Sequence, residues 1–367
     1  MADMVRAAVL LGPRRIEIQE FARPPVGPDH ALLRVEANGI CGSDVETYRG
    51  HLGKATGPLI PGHEPLGIIE EIGEQAAKRW AVVPGDRVAV EIVVPCRSCQ
   101  SCLTGRYQYC RHRAVGHGVT PLSVAPGLWG GLAEYLYLSP GAILHPVDKT
   151  LPAEIAVMVN PIGAGVRWAC HLGGVGIGDT VLVLGAGQRG LASVIAARAA
   201  GAGTIIVTGL SADAHKLALA TEFGADHTIV VDECDTVDRV AELTDGRLAD
   251  VVLELTPMAT APVTDALLAA RLGGRVVLAG LKGGKEVPLR TDLIINRALT
   301  VVGAYGVDAR ACADAIRIIE SRRFPLAKLH THTFGLDDTA LAMETLGGEV
   351  AGEAAVHVSV HPEAASC

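Results

Sequence analysis

Val181–Gly209 reads VLVLGAGQRGLASVIAARAAGAGTIIVTG. An apolar run of strand character ends at Gly185. Gly185, Gly187 and Gly190 follow in the order G-x-G-x-x-G and open an alanine-rich helix, and a second apolar strand begins at Thr204. The glycine spacing alone is weak. Its place between a strand and a helix is what a dinucleotide-binding βαβ unit requires. Gly185 permits the tight turn, Gly187 lets backbone approach a pyrophosphate, and Gly190 lets helix and strand pack closely. The helix N-terminus, with Gln188 and Arg189 in its first turn, offers free N–H groups and partial positive charge to phosphates. A glycine-rich turn without a ligand is the competing reading.

The second strand ends at Gly209, where such units carry an Asp or Glu against the ribose hydroxyls of NAD. With no carboxylate at that position a 2′-phosphate is not repelled, and His215 and Lys216 are nearby cations for NADP. Asp213 could reach the ribose from a slightly longer loop, and the balance leans to NAD. Gly280 and Leu281, at the end of the apolar run RVVLAG, are further candidate cofactor contacts.

Outward from this unit, residues 155–300 alternate short apolar runs with helical ones: TIIVTG, ADAHKLALATEFGA, HTIVV, ADVVLEL, APVTDALLAARLGG and RVVLAG. That alternation implies a parallel sheet covered on both faces. Residues 1–150 have another texture, rich in Gly and Pro, with β-like runs such as HALLRVEANGI and DRVAVEIVV between turn signals. They suggest a compact, barrel-like β fold. MADMVRAAVLLGPRRIEI reads as a strand, a turn at Gly12–Pro13 and a second strand. At 367 residues, 49% hydrophobic and 20% charged, the chain can build two domains. A net charge of −8 without a long basic run speaks against nucleic acid or an anionic membrane as partner. No segment approaches the roughly 20 apolar residues of a membrane helix, and no small-residue cleavage site follows the first apolar run. The cytoplasm is the expected location.

Nine cysteines are present, and CRSCQSCLTGRYQYC (Cys96–Cys110) holds four of them. Four thiols this close could be disulfides, a redox pair or a metal site; a disulfide framework belongs to small secreted chains. Cys170, Cys234, Cys312 and Cys367 lack partner motifs, the last being a terminal thiol. A second constellation lies upstream. GICGSDVETYRG supplies Cys41, Ser43 and Asp44, and PGHEPLG supplies His63 and Glu64. Thiolate sulfur, imidazole nitrogen and carboxylate oxygen are all zinc ligands. Asp44 suits holding the His63 ring in one tautomer.

GICGSD, PGHEPLG, GDRVAVE, the Cys96/Cys99/Cys102/Cys110 cluster, GGLAEYLYL and GAGQRG occur in one order along the chain. In this the sequence resembles the zinc-dependent medium-chain alcohol dehydrogenases, nearest to the sorbitol and threonine dehydrogenase-like branch. The resemblance spans essentially the whole chain. It implies α/β plus mainly β architecture: a GroES-like catalytic domain (1–155, with a zinc lobe at about 95–111), a Rossmann domain (156–300), and a segment (301–367) that completes the first. The active site would lie in the cleft between them, and the lobe near a subunit contact of a homodimer or homotetramer. Cys41 and His63 would hold a catalytic zinc, with Glu64 a nearby carboxylate that binds or exchanges. Ser43 would contact the substrate hydroxyl, and the four clustered cysteines would hold a structural zinc.

Two departures from the family pattern stand out. Asn160, opening NPIGAGVRWA, occupies the place of a third ligand that is usually Cys, Glu or Asp. Its neutral amide is the poorer ligand, so zinc would lean on Glu64 or be held loosely. Glu46 stands where many relatives carry a His that ends the proton relay, and is either its replacement or a solvated carboxylate. Pocket candidates are Tyr48, the EIVVP run, His117 and GLWGG with Trp129; His51 and His112 are weaker ones. The reaction implied is hydride transfer between a secondary alcohol or polyol and NAD(P). The alternatives are a zinc-depleted reductase of activated alkenes or quinones, and a non-catalytic nucleotide-binding protein.

Overall fold

The computed structural model describes residues 4–52 and 57–363, so Cys367 lies outside the described residues. The chain divides into two units, residues 1–160 with 330–367, and residues 161–329.

In the first unit β1 (Met4–Gly12) and β2 (Arg15–Ala22) form the expected antiparallel pair around the turn at Pro13. β3 (Ala31–Ile40) is buried along most of its length because it is paired on more than one side. It is flanked by β4 (Pro65–Ile72), which in turn pairs antiparallel with β5 (Arg87–Val90). β6 (Tyr135–Leu138) also pairs with β3, and β7 (Leu144–Pro146) with β5. These strands bury alternate apolar side chains in two clusters, one around Leu32, Ile60 and Leu132, the other around Leu33, Ile69 and Leu136.

The second unit carries a parallel sheet of β8 (Thr180–Leu184), β9 (Thr204–Gly209), β10 (His227–Val230), β11 (Ala249–Glu254), β12 (Ala270–Leu278) and β13 (Thr300–Gly303). Their order is β10-β9-β8-β11-β12-β13, and every neighbouring pair is parallel. This is the doubly wound arrangement in which strand order reverses beside the first strand, so a crevice opens at the carboxyl ends of β8 and β11. The central strands are continuous apolar runs because helices cover both faces.

β13 and the helix Ala309–Glu320 belong to this second unit. The chain re-enters the first unit at His330, 29 residues beyond the expected 301, because Thr300–Gly303 bonds to β12 and extends the parallel sheet. Likewise the second unit opens at Pro161 rather than 156. β14 (His330–Phe334) and β15 (His357–Val360) then close the chain, β15 pairing with β3.

Candidate active site

β3 ends at Ile40, and Cys41 caps the short helix Gly42–Tyr48. Asp44 in its first turn folds back: its Oδ2 accepts the Cys41 backbone N–H at 2.9 Å. Its Oδ1 lies 3.0 Å from His63 Nδ1, so that nitrogen carries the proton and Nε2 is left as a ligand lone pair. Cys41, His63 and Glu64 are all buried, and their ligand atoms lie within 4.8 Å of one another. Burial by itself would depress the His63 pKa, but contact with Asp44 and Cys41 raises it well above the ordinary value. Gly39 makes room for Glu64: a Cβ at Gly39 would sit 2.6 Å from Glu64 Oε2. Soft sulfur, imidazole nitrogen and carboxylate oxygen in one buried corner fit a zinc ion.

Ser43 shares the helix and is half-buried. Glu46 is not a solvated carboxylate. Its oxygens take Arg49 Nη1 and His51 Nδ1, each at 2.8 Å, and these partners hold its pKa down against burial. Asn160 is half-buried in the first turn of the helix Val159–Gly165. Tyr48 and Trp129 pack: the Tyr48 hydroxyl donates to Glu344, and Trp129 lies edge-on to Tyr137. His112 is exposed, whereas His117 is fully buried with Nδ1 2.6 Å from the Glu91 carbonyl oxygen.

In the cysteine lobe the sulfurs of Cys96 and Cys102 are 3.9 Å apart, Cys99 and Cys102 3.5 Å, and Cys99 and Cys110 3.9 Å. A disulfide needs about 2.05 Å, whereas a tetrahedron of sulfurs about 2.3 Å from zinc has edges of about 3.8 Å. The lobe therefore fits a four-thiolate zinc site. Ser98 N–H and hydroxyl pull Cys96 down to about 5, and burial with neighbouring sulfurs pushes Cys102 up to about 12. A central cation is what lets all four ionise together. Sequence reasoning missed how the lobe is fastened. Tyr107 donates to Glu91 Oε2 at 2.6 Å, and His145 Nε2 lies 2.8 Å from Glu91 Oε1. The only trace of this in the sequence is the carboxylate that ends the apolar run DRVAVE.

In the second unit Gly185 adopts φ +106°, and a Cβ on Gly190 would meet the Gly185 carbonyl oxygen at 1.9 Å, so both glycines are required. A Cβ on Gly187 would meet nothing within 4 Å, which leaves open space before the helix Gln188–Ala200. Gln188 is 8% exposed, and among the described residues its Nε2 has no hydrogen-bond partner. An unmatched buried donor at a helix N-terminus fits a phosphate ligand. Arg189 stacks over Trp168 in the same turn. Gly209 ends β9 as expected, and the Asp213 Cβ lies 3.4 Å from where a Gly209 Cβ would be. The Asp213 carboxylate accepts from Leu210 N–H (3.3 Å) and Lys216 Nζ (2.7 Å). Gly280 sits against the Thr256 backbone, and Leu281 is exposed beside it.

Comparison with known proteins agrees with this geometry. Residues 27–149 match the alcohol dehydrogenase GroES-like domain, and residues 190–321 the zinc-binding dehydrogenase family. A probable alcohol dehydrogenase of Mycobacterium tuberculosis is 43% identical over 364 residues, 98% of this chain and 99% of that protein. An erythritol/L-threitol dehydrogenase of Mycolicibacterium smegmatis is 33% identical, covering 98% of each. A zinc-binding dehydrogenase of Sinorhizobium meliloti, solved with NADP, superposes with a TM-score of 0.86 at 28% identity, covering 98% of this chain and 100% of that one. The chain belongs to the zinc-dependent medium-chain alcohol dehydrogenases. It is an oxidoreductase that moves a hydride between an alcohol and a nicotinamide dinucleotide. Among the described residues no helix is long and apolar enough to cross a membrane.

Proposed function

We propose that the protein oxidises secondary alcohols or polyols, and reduces the matching carbonyls, at the Cys41–His63–Glu64 corner. The observation that carries this is the convergence of three buried zinc-type donors beside Ser43. The names of relatives add the polyol emphasis, since one is an erythritol/L-threitol dehydrogenase. A zinc ion held there would supply Lewis acidity toward the substrate hydroxyl, and a bound nicotinamide would supply the hydride acceptor.

The chain's own residues do the rest. Cys41, His63 and Glu64 hold the metal, Glu64 in the place that Asn160 does not fill with a strong ligand. Asp44 positions His63 by fixing its Nδ1 proton. Ser43 Oγ takes the proton of the substrate hydroxyl while releasing its own to solvent water, which its half-buried position allows. Glu46, already paired with Arg49 and His51, braces the helix on which Ser43 sits. Cys96, Cys99, Cys102 and Cys110 hold a second, structural zinc with no ligand position left for substrate.

Gly185, Gly187, Gln188, Arg189 and Gly190 cradle the cofactor's pyrophosphate, while Gly280 and Leu281 line its other half. NAD is the preferred dinucleotide. Asp213 restores from the neighbouring turn the carboxylate that Gly209 lacks, and its negative charge opposes a 2′-phosphate. The working form is a cytoplasmic homodimer or homotetramer. Among the described residues β13 is an edge strand of its sheet, and Ile295 and Tyr305, before and after it in the chain, are exposed.

The test is a panel of secondary alcohols, diols and polyols assayed with NAD and with NADP. Turnover on a vicinal diol or polyol with NAD is expected. Reduction of activated alkenes with no alcohol oxidised would overturn the reading.

A further inference from the structure

Glu254 ends β11 with its side chain fully enclosed. Its Oε1 accepts the Thr256 N–H at 3.0 Å, the Thr256 hydroxyl, and Lys282 Nζ at 2.9 Å. Lys282 Nζ also donates to the Thr256 carbonyl oxygen at 2.5 Å, and its side chain is 11% exposed. An ammonium has three donors; these two contacts are strong, and the third acceptor in reach, Thr256 Oγ1, is 3.5 Å away, too long to use the last donor well. Glu254 Oε2 has no hydrogen-bond partner among the described residues. A buried ion pair with one donor and one acceptor left over is costly unless a ligand completes it.

The pair stands where a ligand arrives. Thr256 abuts the glycine turn: its methyl lies 3.2 Å from where a Cβ on Gly185 would be. Glu254 ends β11 and Lys282 follows β12, both on the opposite side of β8 from β9 and Asp213. In a doubly wound sheet the two halves of a dinucleotide lie on opposite sides of that reversal. If the adenosine ribose faces β9 and the pyrophosphate the glycine turn, the second ribose faces the ends of β11 and β12. A ribose hydroxyl both accepts and donates, which is what Lys282 and Glu254 lack.

We propose that Lys282, held in place by Glu254, binds a hydroxyl of the nicotinamide-side ribose. This rests on the dinucleotide reading of the glycine turn, and the probes separate the two. NADH and ADP-ribose contain that ribose; AMP does not. Binding is measured by calorimetry on the zinc-loaded full chain, without turnover. Lys282→Met is expected to weaken NADH and ADP-ribose by at least about tenfold, the worth of one charge-assisted hydrogen bond, with AMP unchanged. Because that variant leaves a buried carboxylate without its cation, Glu254→Gln/Lys282→Met is measured beside it and is expected to show the same selective loss. Wild-type affinity for NADH in the double variant, or an equal loss for AMP, would overturn the proposal and leave the dinucleotide reading standing. Failure of the unchanged chain to bind either NADH or ADP-ribose would overturn both.

Discussion

In the proposed mechanism Cys41 is the residue on which the chemistry turns. It ends β3, starts the helix of Ser43 and offers its sulfur beside His63 and Glu64. Cys41→Ala is expected to lower alcohol oxidation by about a thousandfold or more, the scale of lost metal polarisation. NADH binding, which the proposal places in the second unit, should survive; near-normal turnover in that variant would sink the metal mechanism. Asp213 offers a second test. Asp213→Ser removes the carboxylate beside Gly209 and should shift the NAD-to-NADP preference in kcat/KM by about tenfold or more toward NADP, the order of one charge-assisted contact. An unchanged ratio would show that Asp213 does not face the ribose. At this scale the candidate metal donors are legible because donor chemistry is written in residue type, and the structure brings Cys41, His63 and Glu64 together. The place of Asp213 against Gly209 was only guessed at, and the Lys282–Glu254 pair was missed. Both depend on where two separated loops come together, which no local pattern records.

Among the elements, β14 and β15 carry an acid liability. His330 and His357 face each other with their Nδ1 atoms 3.0 Å apart. Burial holds His357 down to about 3 and His330 to about 4, from an ordinary 6.5. A base whose folded pKa is depressed costs nothing above its unfolded value. Below about pH 6.5 the unfolded chain binds protons that the folded chain refuses, so stability falls as pH drops from 6.5 toward 4. Each of the two should contribute a loss on the order of 3 kcal/mol by pH 4. Urea midpoints of the unchanged chain and of His357→Gln, followed from pH 7 to 4, should diverge, the variant losing less; parallel curves would remove the histidines from the account. In the zinc lobe, Tyr107→Phe should cost about 1–3 kcal/mol in thermal unfolding because buried Glu91 loses a donor. No change would mean that the lobe is not fastened there. Element types were readable from periodicity. The histidine pairing was not, since it arises from the register of two strands that are 27 positions apart at the pair.

Across the whole molecule, two textures of sequence became two units: a Gly- and Pro-punctuated β unit and an alternating α/β unit. The order of motifs carried the family, because each glycine and each ligand answers a separate steric or electronic demand. The return to the first unit, expected at 301, falls at His330. LTVVG is an apolar run that suits either sheet, and only its bonding to β12 decides the matter. The central claim is that two metal centres serve different ends, one chemical at Cys41, His63 and Glu64, the other structural in the cysteine lobe. Its most direct test counts zinc and alcohol turnover in the same preparation during graded chelation. The account predicts about two zinc ions per chain at the outset, with turnover falling in step with loss of the first while the fold persists. Full turnover in a preparation holding only about one zinc ion per chain would contradict it.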